Sequence, residues 1–224
     1  MSNEDDTASV TRPFIGLRPF DYRDRAFFFG RDESVEAVES LVTKSGFVAV
    51  VGSSGTGKSS LIRAGLLPSL ETRSNDHWRW ATMEPGEAPI RRLARAISSL
   101  RGPEDDLTEA WNERIEVCLR GSKFGIPEAI SLFPESARAG HSLIVVDQFE
   151  ELFRFANLRS DSGGASIAAS MNRDEATAFV RLLLTANSVA SIRAHVVLTM
   201  RSDYIGECSH FHDTSCEIDG LEND

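Results

Sequence analysis

The feature that most constrains the fold is an apolar run that stops at a glycine-rich turn, VAVVGSSGTGKSSL, over residues 48–61. The β-prone run 47–51 predicts a short buried parallel strand, and SSLIRAGLLPSL (59–70) predicts a helix. Between them, Gly52 to Ser59 match the pattern G-x-x-x-x-G-K-[ST] in full. Glycines let backbone N–H groups converge on phosphate oxygens, and the helix N-terminus adds positive charge. The stretch therefore predicts a strand, a phosphate-binding loop and a helix.

The side chains of this loop indicate which phosphate compound it would bind. We expect Lys58 to reach the β- and γ-phosphates of a nucleoside triphosphate, and the Ser59 hydroxyl to ligate Mg²⁺. The expected nucleotide contacts in the loop are Gly52, Ser53, Ser54, Gly55, Thr56, Gly57, Lys58, Ser59 and Ser60. The alternative, a flexible glycine loop without a ligand, leaves the strand before it and the helix after it unexplained.

A second apolar run, LIVVDQFEE (143–151), ends in acidic residues. Four apolar residues predict a buried strand, and Asp147 at its end can hold Mg²⁺ directly or through water. Glu150 and Glu151 follow at positions where a carboxylate could orient or deprotonate an attacking water. Helical periodicity does not separate these two glutamates, so the choice of base stays open. The alternative is an acidic helix start stabilised by the helix dipole.

A third run, HVVLTMRSD (195–203), also ends in polar residues. Thr199 could sense the γ-phosphate and Arg201 could counter its charge, whereas the alternative is that Arg201 caps the sheet or pairs with Asp203. The carboxyl ends of parallel strands meet at one edge of a sheet, where ligands bind. We therefore expect the three polar clusters to lie together.

Upstream of the loop, FFFGRDE (27–33) combines aromatic rings with a glycine. Gly30 would allow close approach of a purine, which makes Gly30 and Arg31 candidate nucleotide contacts. The alternative is a hydrophobic plug that seals the edge of the domain, and both can hold. Asp32 is a candidate N-cap for a helix in which apolar residues recur at helical spacing, namely Val35, Val38, Leu41 and Val42.

Elsewhere, strands alternate with helices along the chain, which predicts parallel βαβ units with right-handed crossovers. WRWATM (78–83) is β-prone, and Asp174 to Asn187 has a helical pattern with Leu183 and Leu184 available for burial. A proline ends or kinks a helix, so the helix after the loop should end or kink at Pro68. A further helix starting at Pro89 should bury the face formed by Ile90, Leu93, Ile97 and Leu100.

Composition narrows the function classes. A net charge of −10 argues against a chain that coats nucleic acid nonspecifically. Three cysteines form no paired framework, the N-terminus is unlike a secretory signal, and no stretch reaches the roughly 18–20 apolar residues of a membrane span. We therefore expect a cytoplasmic protein. No zinc site is predicted, because no common zinc arrangement has the spacing of Cys208, His210, His212 and Cys216.

Taken together, these segments resemble the STAND class of P-loop NTPases, and within it the bacterial novel STAND NTPase family. The resemblance spans residues 13 to about 212 and rests on PFIGLRPF (13–20), FFFGRDE (27–33), VVGSSGTGKSSLIRAGLLPSL (50–70), VVDQFEELF (145–153) and LTMRSDYIGEC (198–208). The acidic pattern Asp147-x-x-Glu150-Glu151 is also similar to that of NACHT-type relatives. Together these motifs are far more specific than the glycine-rich loop alone.

The resemblance implies an α/β fold, a RecA/ASCE-type parallel sheet flanked by helices, with the Arg201 strand between the loop strand and the Asp147 strand. It implies that ATP rather than GTP is bound, and the sequence contains no Asn-Lys-x-Asp guanine motif. A fifth core strand and a helical lid should follow. We therefore expect a disordered N-terminus at 1–12, an NTPase domain at 13–212 that lacks its last strand and lid, and an irregular tail at 213–224.

Family members are multidomain switches in which ATP binding and slow hydrolysis control oligomerisation, and they are associated with signalling and anti-phage defence. Phosphoryl transfer would need an acceptor site and a closing lid, and mechanical work would need a coupling module; the sequence indicates neither. A switch needs only differential contacts with the γ-phosphate. The sequence therefore predicts a slowly hydrolysing Mg·ATP switch that self-associates or binds protein partners. The alternatives are a non-hydrolysing ATP-binding interaction module and a truncated remnant of a larger STAND protein.

Overall fold

The computed structural model of the chain describes residues 18–73, 76–102, 108–158 and 167–211. Within them, the strands are β1 (Phe47–Gly52), β2 (Trp78–Met83), β3 (His141–Val146) and β4 (Ala194–Arg201). The helical elements, in chain order, are a 3₁₀ turn (Tyr22–Phe27), α1 (Asp32–Ser45), α2 (Lys58–Ser60), a π-helical stretch (Leu61–Leu66), α3 (Leu67–Arg73), α4 (Pro89–Ser99), α5 (Thr108–Gly121), α6 (Gly125–Ser131), α7 (Glu135–Arg138), α8 (Glu151–Leu158), α9 (Ile167–Leu184) and a 3₁₀ segment (Ser202–Phe211).

The strands form one parallel sheet in the order β1-β4-β3-β2. The strand that carries Arg201 therefore lies between the loop strand and the strand that ends before Asp147, as the resemblance implies. Gly52 pairs with Arg201, and Val146 pairs with Leu198, so the polar clusters emerge at the same edge. The fold is an α/β P-loop NTPase fold, a parallel sheet flanked by helices, and this prediction is confirmed.

The two faces of the sheet are covered by different helices. One apolar cluster packs α4, α5, α6, α8 and α9 against one face, and a second packs α1, the π-helical stretch and α3 against the other. Successive residues of a strand point to opposite faces. Accordingly Ile144 and Val146 belong to the first cluster, whereas Leu143 and Val145 belong to the second. Burial on both faces is why the strand reads as an unbroken apolar run.

The helix after the glycine-rich turn does not end at Pro68. It runs from α2 through the π-helical stretch into α3, with the Leu67 N–H donating to the Ile62 carbonyl five residues earlier. Proline lacks an N–H group, and its ring crowds the carbonyl four residues before it. The prediction was that the helix ends or kinks at Pro68; it widens immediately before Pro68 and then continues, so the first of these alternatives is wrong.

Two helix starts and two apolar positions also differ from the predictions. Asp32 is the first residue of α1 rather than its N-cap, because Arg31 has the non-helical backbone and caps without a side-chain hydrogen bond. Helix α9 begins at Ile167, seven residues before Asp174, since the intervening residues include neither proline nor glycine. Leu41 is 52% exposed and Leu184 36% exposed, because the buried stripe of each helix passes beside them.

Several predictions lie outside the described residues. These are the predictions for 1–12, for the start of PFIGLRPF at 13–17, for His212 and Cys216, and for the tail at 213–224. The domain bounds 13–212 also stay a prediction.

Candidate functional site

The centre of the carboxyl edge of the sheet is the Asp147 carboxylate, which is only 2% exposed. Its Oδ1 accepts hydrogen bonds from Ser59 Oγ at 2.8 Å and from Thr199 Oγ1 at 2.6 Å. Its Oδ2 accepts from an Arg63 guanidinium nitrogen at 2.8 Å. Three segments far apart in sequence thus converge on one carboxylate, and three of these four residues were predicted to lie together.

Arg63 was not among the residues predicted for this site. It lies four positions after Ser59 on the helix that follows the loop, and residues four apart share a helix face. That spacing was available as a signal, since any side chain at this position would point toward whatever Ser59 contacts.

The glycine-rich loop is closed by its own hydrogen bonds. Lys58 Nζ donates to the carbonyls of Gly52 and Ser53, both at 2.8 Å, and Thr56 Oγ1 donates to the Ser53 carbonyl at 2.9 Å. Gly55 and Gly57 have φ of +76° and +82°, in the left-handed region that favours glycine. The tip from Ser53 to Thr56, which includes Ser54, is exposed, as a cradle for phosphate must be.

Ser60, a predicted contact, is placed differently from its neighbours. Its side chain is buried, and its hydroxyl accepts a hydrogen bond from the Phe20 N–H at 3.0 Å. Ser60 therefore fastens the segment before the first 3₁₀ turn to the helix, while Ser59 next to it faces Asp147.

The two glutamates after β3 occupy different environments. Gln148 has φ of 55°, and its N–H donates to Thr199 Oγ1 at 3.0 Å, so the chain turns back toward β4. Glu150 is 8% exposed, and its Oε2 accepts from the Arg201 N–H at 3.3 Å. Glu151 is partly exposed and begins α8. The left-handed backbone at Gln148 was not predicted, because this conformation is uncommon for glutamine.

The Arg201 side chain pairs with Asp203, one of the alternatives left open by the sequence. Arg201 Nε donates to Asp203 Oδ1 at 3.2 Å, and this partner lowers the pKa of the Asp203 carboxyl. Both side chains are exposed, at 41% and 54%. Only the backbone of Arg201 contacts the buried part of the site.

The FFFGRDE segment packs onto the domain through one aromatic ring and leaves another exposed. Phe28 meets Phe20 edge-on at 6.1 Å, whereas Phe29 is 78% exposed. An Arg31 guanidinium nitrogen donates to the Thr56 carbonyl at 2.7 Å, which ties the segment to the loop. Gly30 has φ of +76°, and apart from its chain neighbours no heavy atom of the described residues lies within 4 Å of the position a Cβ would take. Phe28 packs as the plug interpretation expects, whereas the nucleotide contacts of Gly30 and Arg31 stay a prediction.

Comparison with known proteins identifies the class. A family model for Novel STAND NTPase 1 matches residues 13–221, nearly the whole chain. The chain belongs to this STAND NTPase family. A solved structure, the Walker-type ATPase PABY2304 of Pyrococcus abyssi, aligns with a TM-score of 0.49 at 17% identity, over 92% of this chain and 52% of that chain. None of the curated proteins compared with the chain matches it.

Membership of this family implies nucleotide binding, usually with Mg²⁺. The residues present fit that ion, because Ser59 and Asp147 offer the hard oxygen donors that Mg²⁺ prefers. The described residues contain no group of three or more His, Cys, Asp or Glu that could hold a metal. A magnesium ion here would take few protein ligands, as is usual where phosphates and water supply the others.

Within the same residues, no helix combines the length and the apolar character that crossing a bilayer requires.

Proposed function

We propose that this domain is a Mg·ATP-dependent switch that hydrolyses ATP slowly and acts in bacterial signalling or anti-phage defence. The observation that carries the proposal is the convergence of the Ser59 and Thr199 hydroxyls on one oxygen of Asp147. Ser59 stands in the phosphate loop, Asp147 follows β3 and Thr199 lies on β4. A ligand that binds at this point therefore acts on three elements together.

The loop residues would bind the phosphates through their backbone N–H groups. Lys58 Nζ now donates to two neutral carbonyls, and a triphosphate would offer it charged acceptors, which form stronger hydrogen bonds. The Ser59 hydroxyl and Asp147 would hold Mg²⁺, which supplies positive charge at the β- and γ-phosphates. Arg31 is tied to the loop by its hydrogen bond to the Thr56 carbonyl, and it would contact the base together with Gly30 and the exposed Phe29 ring.

The same hydrogen bonds offer a route from nucleotide to neighbouring structure. Thr199 Oγ1 donates to Asp147 and accepts from the Gln148 N–H, and the Arg201 N–H donates to Glu150. Glu150 directly precedes α8, so a change at Thr199 would be passed to that helix. We assign Glu150 as the base that orients water, because it is held at the edge of the site by the β4 backbone. Nucleotide-dependent self-association or binding of a protein partner would be the output.

A second candidate function is a non-hydrolysing ATP-binding interaction module. It is favoured by the burial of Glu150 and by the pairing of Arg201 with Asp203, which leaves neither side chain free beside the loop. Either function would be carried out in the cytoplasm, which supplies ATP and Mg²⁺.

Calorimetry with Mg·ATP tests nucleotide binding. We expect the wild type to bind and Lys58→Ala to lose affinity by at least about a hundredfold, since a charge-assisted partner of the phosphates is removed. Lys44→Ala is the matched control, because Lys44 is exposed at the end of α1. No binding by the wild type, or equal affinities for all three proteins, would refute nucleotide binding at this loop.

Single-turnover hydrolysis separates the two candidate functions. Under the switch proposal, Glu150→Gln should hydrolyse ATP about a hundredfold more slowly than the wild type with unchanged binding. Glu151→Gln is the control and should stay within about threefold of the wild type. Binding without turnover in the wild type would leave the non-hydrolysing module as the better account.

A further inference from the structure

The contact between Arg63 and Asp147 is the one part of the site that the proposed function does not use. An Arg63 guanidinium nitrogen lies 2.8 Å from Asp147 Oδ2 and 4.0 Å from Glu84 Oε1. The Arg63 side chain is 24% exposed and the Asp147 side chain 2%. Arg63 Nε is buried and makes no hydrogen bond within the described residues. The main polar contacts of the guanidinium are therefore those with the Asp147 and Glu84 carboxylates.

The contribution of Arg63 to Asp147 is charge rather than orientation. Oδ1 is already positioned by the Ser59 and Thr199 hydroxyls, and the Asp147 N–H donates to the Met83 carbonyl at 2.8 Å. A carboxylate buried to this degree is costly without a cation beside it. Arg63 is the cationic side chain that meets this carboxylate among the described residues.

We infer that Arg63 serves as a tethered counter-cation for Asp147 and opposes Mg²⁺ binding until a nucleotide is present. The inference rests on the proposed function, because it takes Asp147 as a magnesium ligand. A divalent ion at Asp147 would be repelled by the guanidinium a few ångströms away. The negative charge of a triphosphate offsets that repulsion, so metal and nucleotide would bind together.

The helix that carries Arg63 couples it to the loop. Ser59 and Arg63 lie four residues apart and reach opposite oxygens of the same carboxylate. Arg63 belongs to the π-helical stretch Leu61–Leu66, and single π-helical turns inside α-helices are frequent at functional sites. The same helix begins at Lys58, so a shift of the loop around a phosphate would be transmitted to the guanidinium.

Thermal unfolding with Mg²⁺ alone, without nucleotide, tests the inference. Millimolar MgCl₂ should leave the wild-type Tm unchanged relative to EDTA, because Arg63 already neutralises Asp147. In Arg63→Gln, MgCl₂ should raise the Tm by about 3 °C, the shift expected when the metal exceeds its Kd roughly tenfold. Arg63→Lys keeps the charge and should behave as the wild type. Arg120→Gln, which breaks a surface ion pair with Glu116, is the matched control and should show no response.

The inference is wrong if Arg63→Gln shows no magnesium response, or if the wild type responds equally. Should Arg63→Gln fail to fold in either condition, the double variant Arg63→Gln/Asp147→Asn decides. It should fold and ignore Mg²⁺, because the uncompensated carboxylate is gone; a double variant that also fails to fold refutes the inference.

The two proposals fail in distinguishable ways. If the wild type does not bind Mg·ATP but Arg63→Gln responds to Mg²⁺ alone, the nucleotide switch is refuted and the counter-cation role of Arg63 stands. If the wild type binds Mg·ATP but Arg63→Gln shows no response to Mg²⁺, only the counter-cation role of Arg63 is refuted.

Discussion

The two ends of the same sheet bury polar groups in different ways. At the carboxyl end, the buried Asp147 carboxylate is held by two hydroxyls and a guanidinium. At the amino end, His195 on β4 is 5% exposed and lies within hydrogen-bonding distance of His141 on β3, at 2.8 Å. Burial lowers the pKa of both histidines, that of His195 to about 4, so this end carries no charge on its rings near neutral pH.

The proton positions at the amino end follow from their partners. The Val42 carbonyl can only accept, so His195 Nδ1, 3.1 Å away, carries a hydrogen and Nε2 accepts from His141 Nδ1. His141 Nε2 lies 3.4 Å both from an Arg193 guanidinium nitrogen and from Asp76 Oδ2. Trp78 stacks on His141 with ring centroids 4.3 Å apart. The side chains of Trp78, His141 and His195 contact one another, so the burial of polar groups at this end stabilises the fold and does not form a ligand site.

Burial of a polar side chain therefore does not by itself distinguish a ligand site from a structural core. The amino end removes charge by holding neutral rings, whereas the carboxyl end keeps oxygen donors and a cation within reach of an exposed loop. We therefore expect substitutions at the amino end to change stability and substitutions at the carboxyl end to change ligand affinity. Three predictions test this contrast, and a fourth concerns the backbone of the turn that follows β3.

The largest expected effect is on stability, from Trp78→Ala. The ring is 6% exposed and contacts both histidines, so its removal should lower the free energy of unfolding by about 3–5 kcal/mol. Urea unfolding measures the loss, and calorimetry on the folded variant should show unchanged Mg·ATP affinity. Trp80→Ala, at a half-buried ring on the same strand, is the control and should cost less. A large change in affinity with Trp78→Ala would break the contrast between the two ends.

The second effect is on ligand affinity, from Asp147→Asn. The amide keeps the shape but loses the charge that Mg²⁺ requires, so Mg·ATP affinity should fall about tenfold to hundredfold, or roughly 1.4–2.8 kcal/mol. Asp203→Asn removes an exposed carboxylate at the same edge and should change affinity less than about threefold. Equal effects of the two substitutions in calorimetry would show that Asp147 has no special part in binding.

The third effect is a pH dependence from the amino end. The folded-state pKa of His195 is about 4, below its ordinary value of 6.5. As the pH falls from 6.5 toward 4, His195 is protonated in the unfolded chain but stays neutral in the folded chain, so the free energy of unfolding decreases. Above pH 6.5 the contribution of His195 to the free energy of unfolding is constant. The loss should be on the order of 2 kcal/mol.

Urea unfolding across that pH window measures this loss, with His195→Gln as the comparison. The variant should show a flatter pH profile, because its side chain does not titrate. His141 keeps part of the dependence, since burial lowers its pKa in the same direction. An unchanged profile in the variant would contradict the prediction.

The smallest effect concerns Gln148, whose φ of 55° is the only positive φ of a non-glycine among the described residues. Gly and Ala both remove its side chain, but only glycine adopts this conformation without strain. Gln148→Gly should therefore be more stable than Gln148→Ala by roughly 1 kcal/mol, measured by urea unfolding. The reverse order would show that the turn carries no strain.

The strands and the loop were predictable from local sequence. Phe47–Gly52, Trp78–Met83 and the strand before Asp147 match their predictions within one or two residues, because apolar runs bounded by polar turns reflect burial on both faces. The convergence of Ser59, Asp147 and Thr199 also followed, since parallel strands end at one edge. Helix starts were less accurate, as with Ile167, because no cap or breaker marks them.

The chain by itself determined the order of elements, the phosphate loop and the residue types at each strand end, because these depend on periodicity and on the conformational freedom of glycine. Only the tertiary structure decided which partners those residues take. Arg63 reaches Asp147, Arg201 turns to Asp203, Ser60 faces Phe20, and Glu150 rather than Glu151 meets β4. These choices depend on distances between segments some 40 to 90 residues apart, or on which way an exposed side chain finds a charge. Local sequence patterns narrow these partners, as the spacing of Ser59 and Arg63 does, but they do not select among them.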